Sequence, residues 1–332
     1  MKILFAELKD LFKTKLIKYN FSDNNSEILA EIFTDNTFAG VESHGINRFP
    51  FFIQCVENGS VKVDADSSLM NSFGAFEKWN GNYGAGPLNA LQMTERGIEL
   101  AKQYGIGCVA LKNSNHWMRP GYFGWHAAGK GFILICWTNT IPNLPPWGAK
   151  ESKSGNNPLV IAIPRKGGNV VLDMAMSQFS YGKMLNFERE EKRLPFPGGF
   201  DTEGNLTDDP SKIIASQRPL PIGYWKGASL SLSLDIIAAV LAGGRATKDL
   251  SESEGEKGPS QIFIVINPKL FADESSNDEL INEILSHFKS AQPINETAKI
   301  YYPGEQVLIN KKKNMKEGVE VDDKILLKVR EL

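Results

Sequence analysis

PLNALQMTERGIELAKQYGIGCVALKNSNHW, residues 87–117, is the stretch that decides how this chain folds. Pro87 suits the first turn of a helix, where its missing N–H is no loss. The helical pattern runs to Tyr104 and is stopped by Gly105 and Gly107. Apolar residues 108–111 then read as a short buried strand, and the polar run Asn113-Ser114-Asn115-His116 follows at its carboxyl end. Moving outward, strands are predicted at 132–137, 159–163, 170–172 and 262–266. A small-residue helix around 125–128 and a nearly all-apolar helix at 228–241 lie between them. Helices alternating with short apolar strands predict an α/β architecture.

The two ends of the chain have a different texture. Ile3, Leu4, Leu8, Leu11, Phe12, Leu16 and Ile17 recur at helical spacing, and Ser22 is placed to cap a second helix that ends at Gly40. Two such helices cannot bury their apolar faces alone. Helices are also expected at 279–288 and 306–316, with a short extended piece at 299–302 and an amphipathic tail to Leu332. The expected organisation is therefore discontinuous. An α/β domain would span 75–265, and residues 1–74 with 266–332 would form a mainly helical second domain for substrate binding and dimerisation. The segment 187–221, rich in proline and glycine, is read as a long loop serving a site or an interface.

Composition narrows the function. The chain has 332 residues, 42% apolar and 23% charged, with a formal net charge of −2. That balance argues against a nucleic-acid binder, which needs a basic face, and against a polybasic membrane-surface protein. The apolar runs are read as too short to span a bilayer, and the first residues, interrupted by Glu7 and Asp10, are not a signal peptide. Three cysteines without CxxC spacing indicate neither a disulfide framework nor a zinc site, and they read as core. A soluble cytoplasmic protein without a metal is expected.

Ser-His-Gly-Ile-Asn-Arg, residues 43–48, is the most suggestive local cluster. On a helix His44 and Arg48 would share one face. A histidine exchanges a proton near neutral pH, and an arginine fork grips a carboxylate with two hydrogen bonds. Together they suit a keto acid. Equally, both side chains can cap and solvate a helix, and Pro50 allows the helix to begin later. His116 and Asp173 each sit beyond a strand, where α/β proteins commonly place binding groups. His116 can instead be a structural donor, and Asp173 a cap for residues 174–180. Trp225 and Lys226 precede the long apolar helix, whose N-terminus suits a phosphate-bearing ligand, or the turn simply packs its Trp on the core. His126 and His287 read as structural. No GxGxxG follows a strand, and no Walker A, HExxH, GxSxG or kinase pattern occurs.

Beyond these single clusters, several blocks run through the whole chain. They include Ser-His-Gly-Ile-Asn-Arg-Phe-Pro (43–50), Asn-His-Trp-Met-Arg (115–119), Ile-Cys-Trp-Thr-Asn (135–139) and Pro-Pro-Trp-Gly-Ala-Lys (145–150). Gly-Asn-Asn-Pro-Leu (155–159), Asp-Met-Ala-Met-Ser (173–177), Gly-Tyr-Trp-Lys-Gly (223–227) and Gln-Ile-Phe-Ile (261–264) continue the pattern. In these blocks the sequence resembles the malate/L-lactate dehydrogenase type-2 family, nearest to a branch that reduces a keto sugar acid. The resemblance implies a homodimer with a non-Rossmann NAD-binding fold, a central mixed sheet, and hydride transfer between a nicotinamide cofactor and a small keto acid. It implies His44 as proton donor, Arg48 as substrate-carboxylate contact, and His116 and Asp173 in the same pocket. It also implies cofactor contacts from Asn169, Val170, Val171, Leu172, Asp173, Met174 and Ala175, from Trp225 and Lys226, and from Gly304, Glu305 and Gln306. The turn at 165–169 is one residue longer than the family pattern, and Glu305 stands where that pattern has a histidine. NADH is the expected cofactor, and NADPH is also compatible with the sequence. Two other readings stay open: a malate- or lactate-type dehydrogenase of the same family, and a non-catalytic ligand-binding or assembly protein that kept the fold.

Overall fold

In the computed structural model, which describes residues 1–250 and 256–332, apolar alternation and helical periodicity resolve into the following elements. The N-terminal part contains β1 (Lys2–Ile3), α1 (Phe5–Lys18), α2 (Asp23–Phe38) and α3 (Phe49–Glu57). Next come β2 (Ser68–Phe73), β3 (Phe76–Asn80), α4 (Gly86–Tyr104), β4 (Ile106–Lys112), α5 (Gly121–Gly129), β5 (Ile133–Thr138), β6 (Leu159–Ile163) and β7 (Val170–Met174). Then follow α6 (Tyr181–Arg189), β8 (Gly199–Phe200), β9 (Leu206–Thr207), α7 (Pro210–Ser216), α8 (Trp225–Ala242) and β10 (Gln261–Ile266). The chain closes with α9 (Glu274–Lys289), α10 (Glu305–Glu317), β11 (Val319–Glu320) and α11 (Asp323–Glu331).

Seven strands form the central sheet in the order β2-β3-β4-β10-β5-β6-β7. Only β3 and β4 pair in parallel, and every other neighbouring pair is antiparallel. The sheet is therefore mixed and not doubly wound, as expected. Side chains alternate between its faces. Val109, Leu111, Leu134, Cys136, Phe263 and Val265 pack under α4 and α5. Ala110, Trp137 and Ile262 pack against α8 on the other face. Gly107 lets α4 come close, since a Cβ there would stand 2.4 Å from the Gly97 carbonyl oxygen.

A separate apolar core joins the chain's two ends. Phe12 and Phe49 meet with ring centroids 4.4 Å apart, and Phe33 lies 5.0 Å from Phe49 and 5.3 Å from Phe52. Val319, Val321, Leu326 and Val329 complete this cluster, and β1 pairs with β11. Ser22 caps α2 as expected, its Oγ accepting from Asn25 N.

The structure departs from the sequence reading in several places. The sheet begins before residue 75, because β2 hydrogen-bonds to β3. The segment 187–221 is not a bare loop: it carries the end of α6, the β8–β9 hairpin and α7. Residues 299–302 form no strand. α8 has 18 residues and, by length and composition alone, is long and apolar enough to cross a membrane, contrary to the expectation from apolar runs. Its Gly227, Ala228, Ser231, Leu234, Asp235, Ala238 and Ala242 face is buried on the sheet.

Candidate active site

His44 and Arg48 do not share a helix. His44 ends a single 3₁₀ turn, Glu42–His44, and Arg48 stands at the N-cap of α3, because Pro50 starts that helix late. The loop is fastened onto α2: Asn36 Nδ2 donates to the His44 carbonyl at 3.0 Å, and Ile46 N donates to Thr37 Oγ1 at 3.0 Å. Gly45 lies so close to α2 that a Cβ would meet Thr37 Oγ1 at 2.3 Å. Both side chains nevertheless reach one cleft. The Ser43 hydroxyl lies 3.0 Å from His44 Nδ1, which leaves Nε2 as the free ring nitrogen. The Arg48 guanidinium lies 4.1 Å over the Phe51 ring, and its buried Nε has no partner among the described residues.

His116 comes from the polar run after β4. Met118 N donates to its Nδ1 at 3.1 Å, which assigns the proton of the neutral ring to Nε2. The His44 and His116 rings stack with centroids 5.7 Å apart and an interplanar angle of 18°. Burial lowers His44 to about 3, with His116 and Arg48 adding repulsion, and burial with Arg48 lowers His116 to about 3. Both imidazoles are neutral at pH 7.

Asp173 lies within β7 rather than beyond it, so it does not cap residues 174–180. Its Oδ2 accepts from Gly121 N at 3.0 Å, at the start of α5, and sits 3.6 Å from Arg119 Nε. Burial raises the Asp173 carboxyl, and Arg119 opposes that rise. Arg119 is itself buried, with Nη1 unpartnered among the described residues.

The cleft has two chambers, of about 440 and 590 Å³, and both are bounded by Ser43, His44, His116, Thr140, Asn156 and Glu256. The first is lined by Val171, Leu172, Asp173, Ala175 and Gly304 of the expected cofactor segments. Gly304, at φ +90°, brings its backbone against β7, where Pro303 O accepts from Val171 N at 3.0 Å. The second chamber is lined by Arg48, Asn47, Asn143, Tyr181, Asn186 and Arg189.

Other expected cofactor residues stand elsewhere. Asn169 turns to Arg165 N, 3.0 Å away, and lines a different cavity. Val170 and Met174 do not line either chamber, and Met174 packs toward the α8 face of the sheet. Trp225 and Lys226 start α8 outside the cleft, and Trp225 is exposed instead of packed on the core. Glu305 folds back to Tyr302 N and Lys289, and Gln306 donates to Asn310. His126 meets Glu95 on the surface of α5, while His287 is exposed on α9.

Sequence reading had not singled out Arg119, Asn156, Gln261 or Glu256 as site residues. The first three lie within or beside blocks that carried the family resemblance, so a signal existed. Glu256 had none. Gln261 is fully buried beside the first chamber, with both side-chain amide atoms unpartnered among the described residues. A buried amide with a free donor and acceptor matches the carboxamide of a nicotinamide ring, and the Arg119 Nη1 donor adds to that fit.

Comparison with known proteins gives the family and the fold. The malate/L-lactate dehydrogenase family matches residues 3–330. The chain is 44% identical to 2,3-diketo-L-gulonate reductase of Escherichia coli O6:K15:H31 (strain 536 / UPEC) over 333 residues, covering 100% of both chains. Its fold superposes on the sulfolactate dehydrogenase of Methanocaldococcus jannaschii with a TM-score of 0.91 at 30% identity, covering 100% of this chain and 96% of that one. It matches the fold of malate dehydrogenase from Entamoeba histolytica with a TM-score of 0.95 at 24% identity, covering 100% and 96%. The chain belongs to the malate/L-lactate dehydrogenase family and is an oxidoreductase acting on CH–OH and C=O groups.

Proposed function

We propose that the protein is an NADH-dependent reductase of a keto sugar acid, converting 2,3-diketo-L-gulonate to 3-keto-L-gulonate. The observation that carries this reading is the stacked His44–His116 pair, which forms a wall common to both chambers. On one side lie the β7 and Gly304 segments. On the other, Arg48 stands beside the hydrogen-bonding side chains of Asn47, Asn143, Tyr181 and Asn186, with Glu188, Arg189 and Glu256 also lining the chamber, a set that suits a hydroxyl-rich anion. The relatives named for the same conversion support the substrate class.

NADH, when bound, supplies the hydride that forms the new C–H bond at the ketone carbon. Arg48 holds the substrate carboxylate and fixes the carbonyl against His44. As the C=O π bond opens, its oxygen takes the Nε2 proton of a His44 imidazolium, which has drawn that proton from solvent once the carboxylate is bound, and the ring is left neutral. Arg48 is one of the charges that depress His44, so a carboxylate bound on Arg48 offsets that repulsion and raises the imidazole's proton affinity. In the oxidative direction the neutral ring is already suited to accept the proton. Asp173 orders Arg119 and the start of α5. Gln261, Val171, Leu172, Ala175 and Gly304, which line the first chamber, are the inner cofactor contacts of this proposal, and Asn169, Val170, Met174, Trp225, Lys226, Glu305 and Gln306, which do not line it, belong to the proposal only as contacts for more distant parts of the cofactor.

The protein acts as a cytoplasmic homodimer in this reading. Leu232, Ile236 and Val240 form an exposed apolar stripe along the outer face of α8, the helix that starts at Trp225, and a second copy would cover it. The division into a domain at 75–265 and one combining 1–74 with 266–332 belongs to the same proposal. Steady-state rates with NADH on 2,3-diketo-L-gulonate, pyruvate and oxaloacetate test the function. A higher kcat/KM on pyruvate or oxaloacetate would replace the sugar-acid assignment by a lactate or malate one. No quenching of NADH fluorescence on titration with the protein would remove the NADH assignment.

A further inference from the structure

Among the described residues, Glu256 is the acidic side chain that lies against both Arg48 and His116. Its Oε1 lies 3.3 Å from Arg48 Nη2 and its Oε2 lies 3.6 Å from His116 Nε2. It is 208 positions from Arg48 in sequence and lines both chambers. Its backbone sits at φ +60°, an unfavourable region for a residue with a Cβ. The positions after it are tied down. Gly258 N donates to Ser114 O at 2.9 Å, the Lys257 ammonium lies 4.8 Å over the Tyr83 ring, and Ser260 N donates to Asn139 Oδ1 at 2.8 Å. The carboxylate is thus held beside Arg48 from a fixed point next to β10.

We propose that Glu256 is a specificity-determining residue: it accepts hydrogen bonds from the hydroxyls of the substrate chain and rejects a second carboxylate. The proposal rests on the cleft reading above and deepens it. Arg48 carries a single positive charge, already faced by Glu256, so the site balances one further carboxylate poorly and two not at all. The other cleft arginines are also engaged, Arg119 with Asp173 at 3.6 Å and Arg189 with Asp322 at 3.3 Å. His44 and His116 are neutral and add no charge. A substrate hydroxyl near Glu256 finds a charged acceptor, which makes a strong hydrogen bond. A second carboxylate there meets a like charge in a partly desolvated cleft. Relatives of the same fold are named as malate dehydrogenases, whose substrate is a dicarboxylate, so the distinction separates members of one family.

The test is Glu256→Gln, assayed with NADH on oxaloacetate, pyruvate and 2,3-diketo-L-gulonate. Removing the charge is expected to raise kcat/KM on oxaloacetate relative to pyruvate by on the order of 10- to 100-fold. The sugar acid should lose about 3- to 10-fold, mainly through KM. Glu256→Asp keeps the charge and should keep the discrimination against oxaloacetate. Thermal unfolding and NADH fluorescence titration establish that both variants are folded. An unchanged oxaloacetate-to-pyruvate ratio in a folded Glu256→Gln protein overturns the proposal, as does a uniform fall of kcat on all three substrates. If the unmutated protein reduces none of the three, the cleft reading itself fails, and this proposal with it. That outcome is visible before any variant is made.

Discussion

Arg48 and Phe49 are adjacent in sequence and belong to two regions built on opposite terms. Phe49 enters an apolar cluster with Phe12, Phe33 and Phe52, where every contact lowers the free energy of the folded chain. Arg48 enters a cleft that gathers His44, His116, Glu256, Arg119 and Asp173 at a desolvation cost. Among the described residues, unpartnered buried atoms of the cleft include Arg48 Nε, Asn47 Oδ1, Arg119 Nη1 and both amide atoms of Gln261. The first region stabilises the fold, and the second holds groups ready for a ligand that can satisfy them. One turn of chain divides the two functions, because α3 begins between them.

The sharpest way to break this comparison is to substitute one member of each region. His44→Ala is expected to lower turnover roughly 100- to 10,000-fold while leaving NADH binding and the unfolding temperature nearly unchanged. A parallel loss of cofactor affinity or stability would place His44 with the structural residues instead. Phe49→Ala should do the reverse, costing about 3 to 5 kcal/mol of stability in urea or thermal unfolding, with kcat per folded molecule preserved. If its folded fraction is inactive, the two regions are coupled and the division is wrong.

Arg48→Lys makes a finer distinction. Losing the planar fork should raise KM for the keto acid about 10- to 100-fold with a smaller effect on kcat. Equal KM values in the variant and the parent would take Arg48 off the substrate carboxylate. The smallest effect expected concerns pH. His44 and His116 are held at about 3, below the ordinary value of 6.5 that they regain on unfolding. The unfolded chain therefore binds more protons between those values, and their contribution to stability, present above about pH 6.5, is lost as pH falls toward 3. His116→Asn should flatten the fall in unfolding free energy between pH 7 and 4, by on the order of 1 kcal/mol after discounting for partial exposure. A slope identical to the parent's would show that His116 is not held neutral by burial.

The strands and helices around the cleft were largely legible because their signals are local. Short continuous apolar runs at 108–111 and 262–266, Pro87 at a helix start and Ser22 as a cap each act within a few residues. His44, Arg48, His116 and Asp173 were legible as chemistry, being polar groups beside apolar elements. The helical pairing of His44 and Arg48, which holds only if the segment is helical, does not form, because Gly45's approach to Thr37 and the late start allowed by Pro50 set a bend that periodicity does not record. Glu305 is read as a cofactor contact by position, and in the structure its side chain pairs with Lys289 and the Tyr302 backbone, partners that no local pattern announces.

Sequence alone determined the α/β class and the family, and it named His44, Arg48, His116 and Asp173 as candidates, since each follows from local pattern or from blocks spread along the chain. Only the tertiary structure decided which side chains share the cleft. It set Glu256 beside Arg48, Gln261 beside the first chamber, and the chain's two ends in one core. Such contacts depend on how the sheet orders its strands and where loop closure brings distant segments together, and a single chain carries no local mark of either.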